Sequence, residues 1–245
     1  MHQRPLHDVP WPLRLALPVL LALYIGWGLQ RDAVQAQAQA LPAPPGINEL
    51  RLFSLGEPVA LGKLLMLYIQ AFDYRAGSDM PYRKLDYTRL IEWLDHILAL
   101  DPRGQYPLMS ASRLYAEVPD AQRSRLMLDF IYRQYLRDPN QRWPWMAHAT
   151  LIAKHRLHDL PLALEYATAL QRDTTTPDAP LWVKQMRAFI LEDMNELEAA
   201  RIVIGGILDS GQVKDERDYR LLHRRLEALE NKMKAHTPAP ATPAH

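Results

Sequence analysis

The stretch DPNQRWPWMAHATLIAKHRLHDLPLALEYATAL, from Asp138 to Leu170, decides the fold of this chain. It predicts two short helices, Pro144–His155 and Leu160–Arg172, because apolar residues recur at helical spacing and prolines mark helix starts. One such pair of helices cannot bury its apolar face alone. The stretch therefore predicts a helical hairpin that packs against similar neighbours.

The same arrangement recurs on both sides of this stretch. Pro107, Pro144 and Pro180 each open a predicted helix, and they lie 37 and 36 residues apart. The flanking hairpins are Pro107–Ala116 with Asp120–Arg137, and Pro180–Glu192 with Glu196–Asp209. The spacing therefore predicts three consecutive units of similar length.

Local signals mark several helix ends. Asp86 can cap the helix that follows it, and Asp101-Pro102 can close that helix. In the third hairpin, Asn195 and Glu198 form a capping-box pattern, and Gly211 can end the second helix. These signals support helical boundaries at both ends of the repeated region.

Further helices are predicted outside the three hairpins. Pro58–Tyr74 is apolar on most sides, which predicts a buried helix. Asp86–Ala99 carries one apolar stripe, formed by Leu90, Ile91, Leu94, Ile97 and Leu98. Asp215–Lys234 places Leu222, Leu226, Leu229 and Met233 at heptad-like steps beside a charged face, so it can cap the array.

The composition agrees with an all-α fold. Glycine is scarce (10 residues), proline is plentiful (20), and no Asn-Gly or Asp-Gly hairpin turn occurs. Lys and Arg number 29 against 28 Asp and Glu, so the clustered basic surplus of nucleic-acid binders is not expected. The chain has no cysteine, which excludes disulfides, cysteine metal sites and thiol nucleophiles.

An uncharged apolar segment, LALPVLLALYIGWGLQ, runs from Leu15 to Gln30 between Arg14 and Arg31. Its length as a helix is about 24 Å, against about 30 Å of bilayer hydrocarbon, and the flanking arginines can snorkel across the shortfall. We expect a permanent signal anchor. The alternatives are a signal peptide cleaved within AQAQA, residues 36–40, and a buried helix of a soluble protein.

The charges around this segment predict the side on which the body lies. Arg4, Arg14 and the terminal amine precede the segment, whereas only Arg31 follows it before Glu49. Positive charge favours the cytoplasmic side, so the body is expected outside the cytoplasm. The predicted location is the bacterial inner membrane, single-pass, with the body in the periplasm.

These predictions divide the chain into seven segments. The membrane part comprises a cytoplasmic N-terminus (1–14), a transmembrane signal anchor (15–30) and a flexible Pro-rich linker (31–47). The body comprises N-terminal helices (48–104), the repeats (105–211), a C-terminal capping helix (212–235) and a disordered tail (236–245).

The hairpins resemble the tetratricopeptide repeat (TPR) family over about residues 86–211. DPNQRWPWMAHATLI, from Asp138, is similar to the family's turn and first helix, and NELEAARIVIGGIL, from Asn195, is similar to its second helix. Ala163, Ala167 and Ala200 stand where the family packs small residues between helices. The period exceeds the family's 34 residues and the signature glycine of the first helix is missing, so the chain is TPR-like.

The resemblance implies a short TPR-like helical-hairpin solenoid, which follows the N-terminal transmembrane helix predicted from residues 15–30. The chain also resembles single-span membrane-anchored proteobacterial proteins of this general design. The resemblance to the TPR family implies a scaffold that binds a protein or peptide in a concave groove and performs no chemistry of its own. The identity of the partner does not follow from the sequence.

Aromatic residues supply the candidate binding site. Trp143, Trp145 and Trp182 lie near the starts of repeat helices, where tryptophans serve either in packing between repeats or in lining a peptide groove. Both roles remain open from the sequence.

Few residues suggest chemistry. His148, His155 and His158 cluster with Asp159, but we expect solvated or capping histidines rather than a metal site, because Lys154 and Arg156 would repel a cation. Glu192 and Asp193 are adjacent, so on a helix their side chains point apart and do not form an acid/base pair. No nucleotide-binding or serine-nucleophile motif occurs. We therefore predict no catalytic, metal or cofactor site and no small-molecule substrate.

Three functions from different classes remain as hypotheses. The first is a non-catalytic, membrane-anchored adaptor that mediates protein–protein interactions in the cell envelope. The second is a structural subunit held in a membrane complex through its transmembrane helix, for which Ala16, Ala22 and Gly26 could form a small-residue face. The third is an envelope hydrolase, for which the sequence offers no constellation of residues.

Overall fold

The computed structural model describes residues 11–29, 41–73, 85–211 and 213–236. Every regular element within these ranges is helical and none is a strand, which confirms the all-α prediction. The chain divides into two compact units, Met1–Gln39 and Ala40–His245. The predicted cytoplasmic N-terminus up to residue 10 and the predicted C-terminal tail from residue 237 lie outside the described residues.

The first unit contains helix α1, Trp11–Leu29, which covers most of the predicted anchor. Its most apolar part is Pro18–Trp27. Within the described ranges, no single helix combines the length and hydropathy that a bilayer span requires. Two consecutive helices of the second unit meet that requirement only when they are taken together, and they are bent by 110° relative to each other.

The second unit contains ten helices within the described residues. They are α2 (Ile47–Phe53), α3 (Pro58–Asp73), α4 (Tyr87–Leu100), α5 (Tyr106–Ser110, continued by a π-helical turn Ala111–Tyr115), α6 (Ala121–Arg137), α7 (Pro139–His155), α8 (Leu160–Asp173), α9 (Leu181–Asp193), α10 (Leu197–Asp209) and α11 (Glu216–His236).

Aspartates start four of these helices. The side chains of Asp86, Asp120, Asp138 and Asp159 each accept a hydrogen bond from a backbone N–H in the first turn of α4, α6, α7 and α8. The first-turn N–H groups have no partner within a helix, so a carboxylate at this position stabilises the start. The predicted cap at Asp86 is confirmed, and α4 ends before Asp101 as expected.

The predicted helix start at Pro144 is wrong. Asp138 accepts a hydrogen bond from the Gln141 N–H (3.2 Å) and Pro139 occupies the first helical position, so α7 begins five residues earlier. Pro144 lies inside α7, where its missing N–H leaves the Asn140 carbonyl without its helical partner. The helix starts at Asp138-Pro139 rather than at Pro144, because Asp138 caps the first turn and Pro139 occupies a position whose N–H would have no helical partner.

The predicted capping box of Asn195 and Glu198 is also wrong. Asn195 has a φ of 62° and ends α9, because its N–H bonds to the Glu192 carbonyl while the Glu196 N–H bonds to the Leu191 carbonyl. This pair of bonds satisfies the last carbonyls of a helix. Asn195 therefore closes one helix rather than opening the next, whereas Gly211, at a φ of 68°, follows the end of α10 as predicted.

From α6 onward, each helix packs against the next one along the chain. Side chains also join helices that are two apart in the sequence. The Tyr135 hydroxyl of α6 donates to the Ala169 carbonyl of α8 (3.1 Å), and Trp143 of α7 meets Trp182 of α9 with ring centroids 6.0 Å apart. This packing is compatible with a helical-repeat architecture.

The buried residues form two clusters. One is built from α3 to α9, and the other joins α9, α10 and α11. Ala163 and Ala167 are fully buried in the first cluster, and Ala200 is fully buried in the second. Leu222 and Leu229 of α11 are buried in the second cluster, so the last helix packs its apolar side against α9 and α10.

The prediction that the helix at Pro58–Tyr74 is buried is wrong for half of its surface. Met66 and Ile69 of α3 are buried, whereas Leu64 and Leu67 are 61% and 62% exposed. Among the described residues, α3 packs mainly against α4, and no other described helix covers the side that carries Leu64 and Leu67. A continuous apolar composition predicts burial on all sides only when enough neighbouring elements exist to cover the helix.

Candidate binding surfaces

Trp143 and Trp182 lie together on two neighbouring helices. Their rings meet edge to face at an interplanar angle of 72°, which is a favoured geometry for aromatic pairs. Trp143 is partly buried and packs against the core, whereas Trp182 is 45% exposed. The indole of Trp182 is therefore partly exposed to solvent beside α7 and α9, and the indole of Trp143 packs beneath it.

Trp145 lies on another side of α7 and contacts α5. Its indole Nε1 donates a hydrogen bond of 2.7 Å to the side-chain oxygen of Gln105, just before α5. One turn further along α7, the His148 Nε2 lies 3.1 Å from a carboxylate oxygen of Glu117. The structure therefore brings Trp143 and Trp182 together, and it places Trp145 in a separate set of contacts towards α5.

A buried arginine fixes the start of α7 against α6 and α4. Arg142 donates to the backbone carbonyl of Gln134 (2.7 Å) and to its side-chain oxygen (2.8 Å), and also to the Pro102 carbonyl (3.3 Å). The Gln134 amide in turn donates to Asp95 of α4, which also pairs with Arg137. Burial lowers the pKa of Arg142 from its usual value. This network holds the helix that carries Trp143 and Trp145 in one position.

The second candidate surface lies on α2, α3 and the turn between them. We call it the elbow face, and it consists of exposed apolar side chains: Leu52, Phe53, Leu55, Val59, Leu64, Leu67 and Tyr68. Of the seven residues described as exposed on α3, only Lys63 is charged. A folded domain rarely leaves such a row of apolar side chains in water, so the elbow face is a candidate interaction surface.

The turn between α2 and α3 holds one leucine at its tip. Leu55 has a φ of 49° and Gly56 a φ of 92°, and Leu55 is 91% exposed. A left-handed conformation costs a residue with a side chain roughly 1–2 kcal/mol. The backbone therefore carries strain at the residue that projects an apolar side chain furthest into solvent.

An apolar groove of about 380 Å³ adjoins the elbow face. It is lined from α3, the end of α4 and the start of α5, chiefly by Gly62, Met66, Leu67, Ile97, Tyr106 and Pro107. Leu67 belongs both to the groove and to the elbow face. The apolar surface thus continues from a convex helix into a cleft.

Sequence reasoning missed the elbow face because it assigned Pro58–Tyr74 to the interior. The available signal was the lack of a polar side on this helix, combined with the small number of predicted elements before the hairpins that could cover it. No individual helix was predicted over Leu52, Phe53 and Leu55, although three large apolar residues within four positions are a signal in themselves.

Several of the titratable residues singled out in the sequence have side-chain partners. His148 lies beside Glu117, Asp159 caps α8 and pairs with Arg125 (2.7 Å), and Asp193 pairs with Lys154 (2.5 Å). His155 is the last residue of α7, and His158 adopts a φ of 53° in the turn. In the described part of the chain, no three His, Asp or Glu side chains are arranged to hold a metal ion.

Glu192 joins the last helix to α9. Its carboxylate accepts hydrogen bonds from Arg225 and Lys232, each at 2.6 Å, and Arg225 lies 4.1 Å above the ring of Phe189. Burial acts to raise the pKa of Glu192, but the bonds and positive charges of Lys232 and Arg225 outweigh it and hold the pKa below its usual value.

The small residues of α1 do not form one face. Ala22 and Gly26 are one helical turn apart and share a side of the helix, but Ala16 is six positions earlier and points elsewhere. The described side chains of α1 are exposed, and a Cβ at Gly26 would meet nothing within 4 Å. The face predicted for helix association is thus limited to two of its three residues.

Comparison of the chain with protein-family models, with curated proteins and with solved structures found no match.

Proposed function

We propose that the protein is a membrane-tethered adaptor whose TPR-like helical hairpins bind another protein of the cell envelope. In this proposal α1 is a transmembrane signal anchor in the inner membrane of a bacterium. The body stands in the periplasm and presents its hairpins to the partner. The protein performs no reaction itself.

One observation carries the proposal, namely the aromatic pair on α7 and α9. Trp182 is 45% exposed and rests on Trp143, so its position is fixed before any partner arrives. A rigid, partly exposed tryptophan binds with little loss of side-chain entropy, and such residues often dominate protein interfaces. The buried Arg142 network supports this role because it fixes the helix beneath the pair.

The anchor and the outward location rest on the N-terminal sequence. The apolar segment Leu15–Gln30 and the excess of positive charge before it favour a cytoplasmic N-terminus. A mature protein that begins at Met1 would support the permanent anchor. A mature protein that begins at Gln39 or Leu41 would replace it with a cleaved signal peptide.

Site-specific photo-crosslinking in living cells tests the adaptor function. A photoreactive amino acid at Asp178, which is exposed in the turn just before α9 and leaves Trp182 in place, is expected to capture a discrete partner band from native membranes. The matched control is the same amino acid at Ile202, which is 61% exposed on α10 and lies away from the tryptophan pair in sequence. The control should give no such band.

A substitution then separates binding from folding. Trp182→Ala, combined with the same photoreactive amino acid at Asp178, should abolish the band, because the exposed indole is the proposed anchor. The helical circular dichroism of the variant should match that of the wild type. Capture that persists in Trp182→Ala would contradict the assignment of this surface.

A further inference from the structure

We propose that the elbow face is a second membrane-contact site, which lies in the lipid headgroup and upper acyl region and seats the body on the bilayer. The inference rests on the proposed function only in taking α1 as the membrane anchor. The occupant is lipid, and not a protein or a second copy of this chain.

The composition of the elbow fits an interfacial location. Taken together, α2 and α3 are as apolar as a membrane span, yet they are bent by 110° and so cannot cross a bilayer as one rod. The exposed side of α3 carries a single charge, Lys63, among apolar and aromatic side chains. Helices that lie in the membrane interface bury such a face about 5–10 Å deep.

The shape of the elbow also fits a lipid surface. Leu55 projects from the tip of a convex turn with 91% of its surface exposed, and Leu52 and Phe53 lie immediately before it. A protein partner would need a matching cavity for this tip, whereas lipid chains adapt to it. The adjoining groove, lined by Met66, Leu67 and Ile97, is apolar and open, so it can accept part of an acyl chain.

The chain itself limits how far this surface can be from the membrane. The backbone carbonyls of Leu41 and Pro42 accept hydrogen bonds of 2.8 Å from Arg89 and Trp93 of α4, and Leu41 is buried. Only residues 30–40 therefore remain as a tether between α1 and the body. Even fully extended, these eleven residues span at most about 40 Å. If α1 is inserted in a membrane, the apolar interior of that membrane therefore stays within reach of the elbow face.

Fluorescence quenching in pure lipid vesicles tests the proposal with the full chain. The protein has no cysteine, so single cysteines can carry an environment-sensitive NBD label without background. The test positions are Leu55→Cys and Leu64→Cys, and Ile202→Cys is the exposed control on α10. Leu23→Cys in α1 reports whether the anchor itself is inserted. The vesicles contain phosphatidylcholine and phosphatidylglycerol, and no other protein.

The expected result is a clear separation of positions. Labels at residues 55, 64 and 23 should be quenched strongly by doxyl-labelled lipids and shielded from aqueous iodide. The label at residue 202 should show the reverse. Matching circular dichroism of all four labelled variants establishes that each is folded.

Three other outcomes would overturn the inference, and they are distinguishable. If the labels at residues 55 and 64 behave like the label at residue 202 while the label at residue 23 is quenched by lipid, the elbow face does not contact lipid, although α1 is inserted. Absence of lipid quenching at residue 23 as well would remove the anchor on which the proposed function depends. Shielding of 55 and 64 from iodide without lipid quenching, rising with protein density, would show that a second copy covers the elbow face.

Discussion

Replacing Glu192 by glutamine should loosen the last helix from the body. The carboxylate is only 16% exposed and holds Arg225 and Lys232, which are 40% and 54% exposed. Hydrogen bonds to charged groups contribute about 1.5–3 kcal/mol when desolvated, but pairs in contact with solvent contribute about 0–1 kcal/mol. The accepting carboxylate is mostly buried, whereas the two donating side chains are about half-exposed. The glutamine amide keeps one oxygen that can still accept a hydrogen bond. We therefore expect the free energy of unfolding to fall by about 1–2 kcal/mol at neutral pH.

The loss should depend on pH in a defined direction. The pKa of Glu192 is lowered in the folded protein, so its stabilising effect is fully present above the ordinary glutamate pKa of about 4.3. The effect is lost as the pH falls through the lower, folded-state pKa, because the carboxyl group then becomes neutral in both states. Wild type and Glu192→Gln should therefore differ at neutral pH and converge in acid.

Urea denaturation of residues 41–245 measures this difference, and hydrogen exchange locates it. Amides of α11 should exchange faster in the variant, since Glu192 contacts two residues of that helix. Glu227→Gln is the matched control, because Glu227 is exposed and its ion pair in the described part of the chain is with His223 of the same helix. Equal stability of Glu192→Gln and Glu227→Gln at neutral pH, or a difference that survives in acid, would refute the reasoning.

Three further predictions address packing, the buried network and topology. Ala200→Leu should cost about 1–3 kcal/mol in urea denaturation because it overfills a buried contact, whereas Ala228→Leu on the exposed side of α11 should stay within about ±0.5 kcal/mol. Arg142→Leu should cost about 2–4 kcal/mol by the same assay, since it leaves buried acceptors of Gln134 unpaired. A periplasm-active reporter fused after His245 should be active and a cytoplasm-active one silent, and the opposite pattern would reverse the topology.

Helix boundaries were predictable where a short-range signal sets them. Asp86 and Gly211 act within one turn of the chain, and the predicted second helix Leu160–Arg172 differs from α8 by a single residue. Errors arose where two local signals compete. Pro144 and Asp138-Pro139 both mark helix starts, and the capped pair prevails. Asn195 can cap a following helix or end a preceding one, and the left-handed conformation chooses the second.

Contacts between distant residues could not be predicted from the sequence. Trp143 meets Trp182 because α9 packs beside α7, and the orientation of each indole depends on that packing. Lys232 is an exposed residue on a highly charged helix, and its partner Glu192 lies on another helix, 40 residues earlier in the sequence. The exposed side of α3 likewise depends on which elements remain to cover it, and a single sequence does not specify that.

The attachment of Leu41 and Pro42 to α4 determines where mechanical force enters the body. When the chain upstream is pulled, tension reaches the fold through Leu41 and the bonds donated by Arg89 and Trp93. It acts on α4, in the interior of the body, before it acts on α2, which follows only a few residues later in the sequence. The load therefore passes to α4 without crossing the turn between α2 and α3.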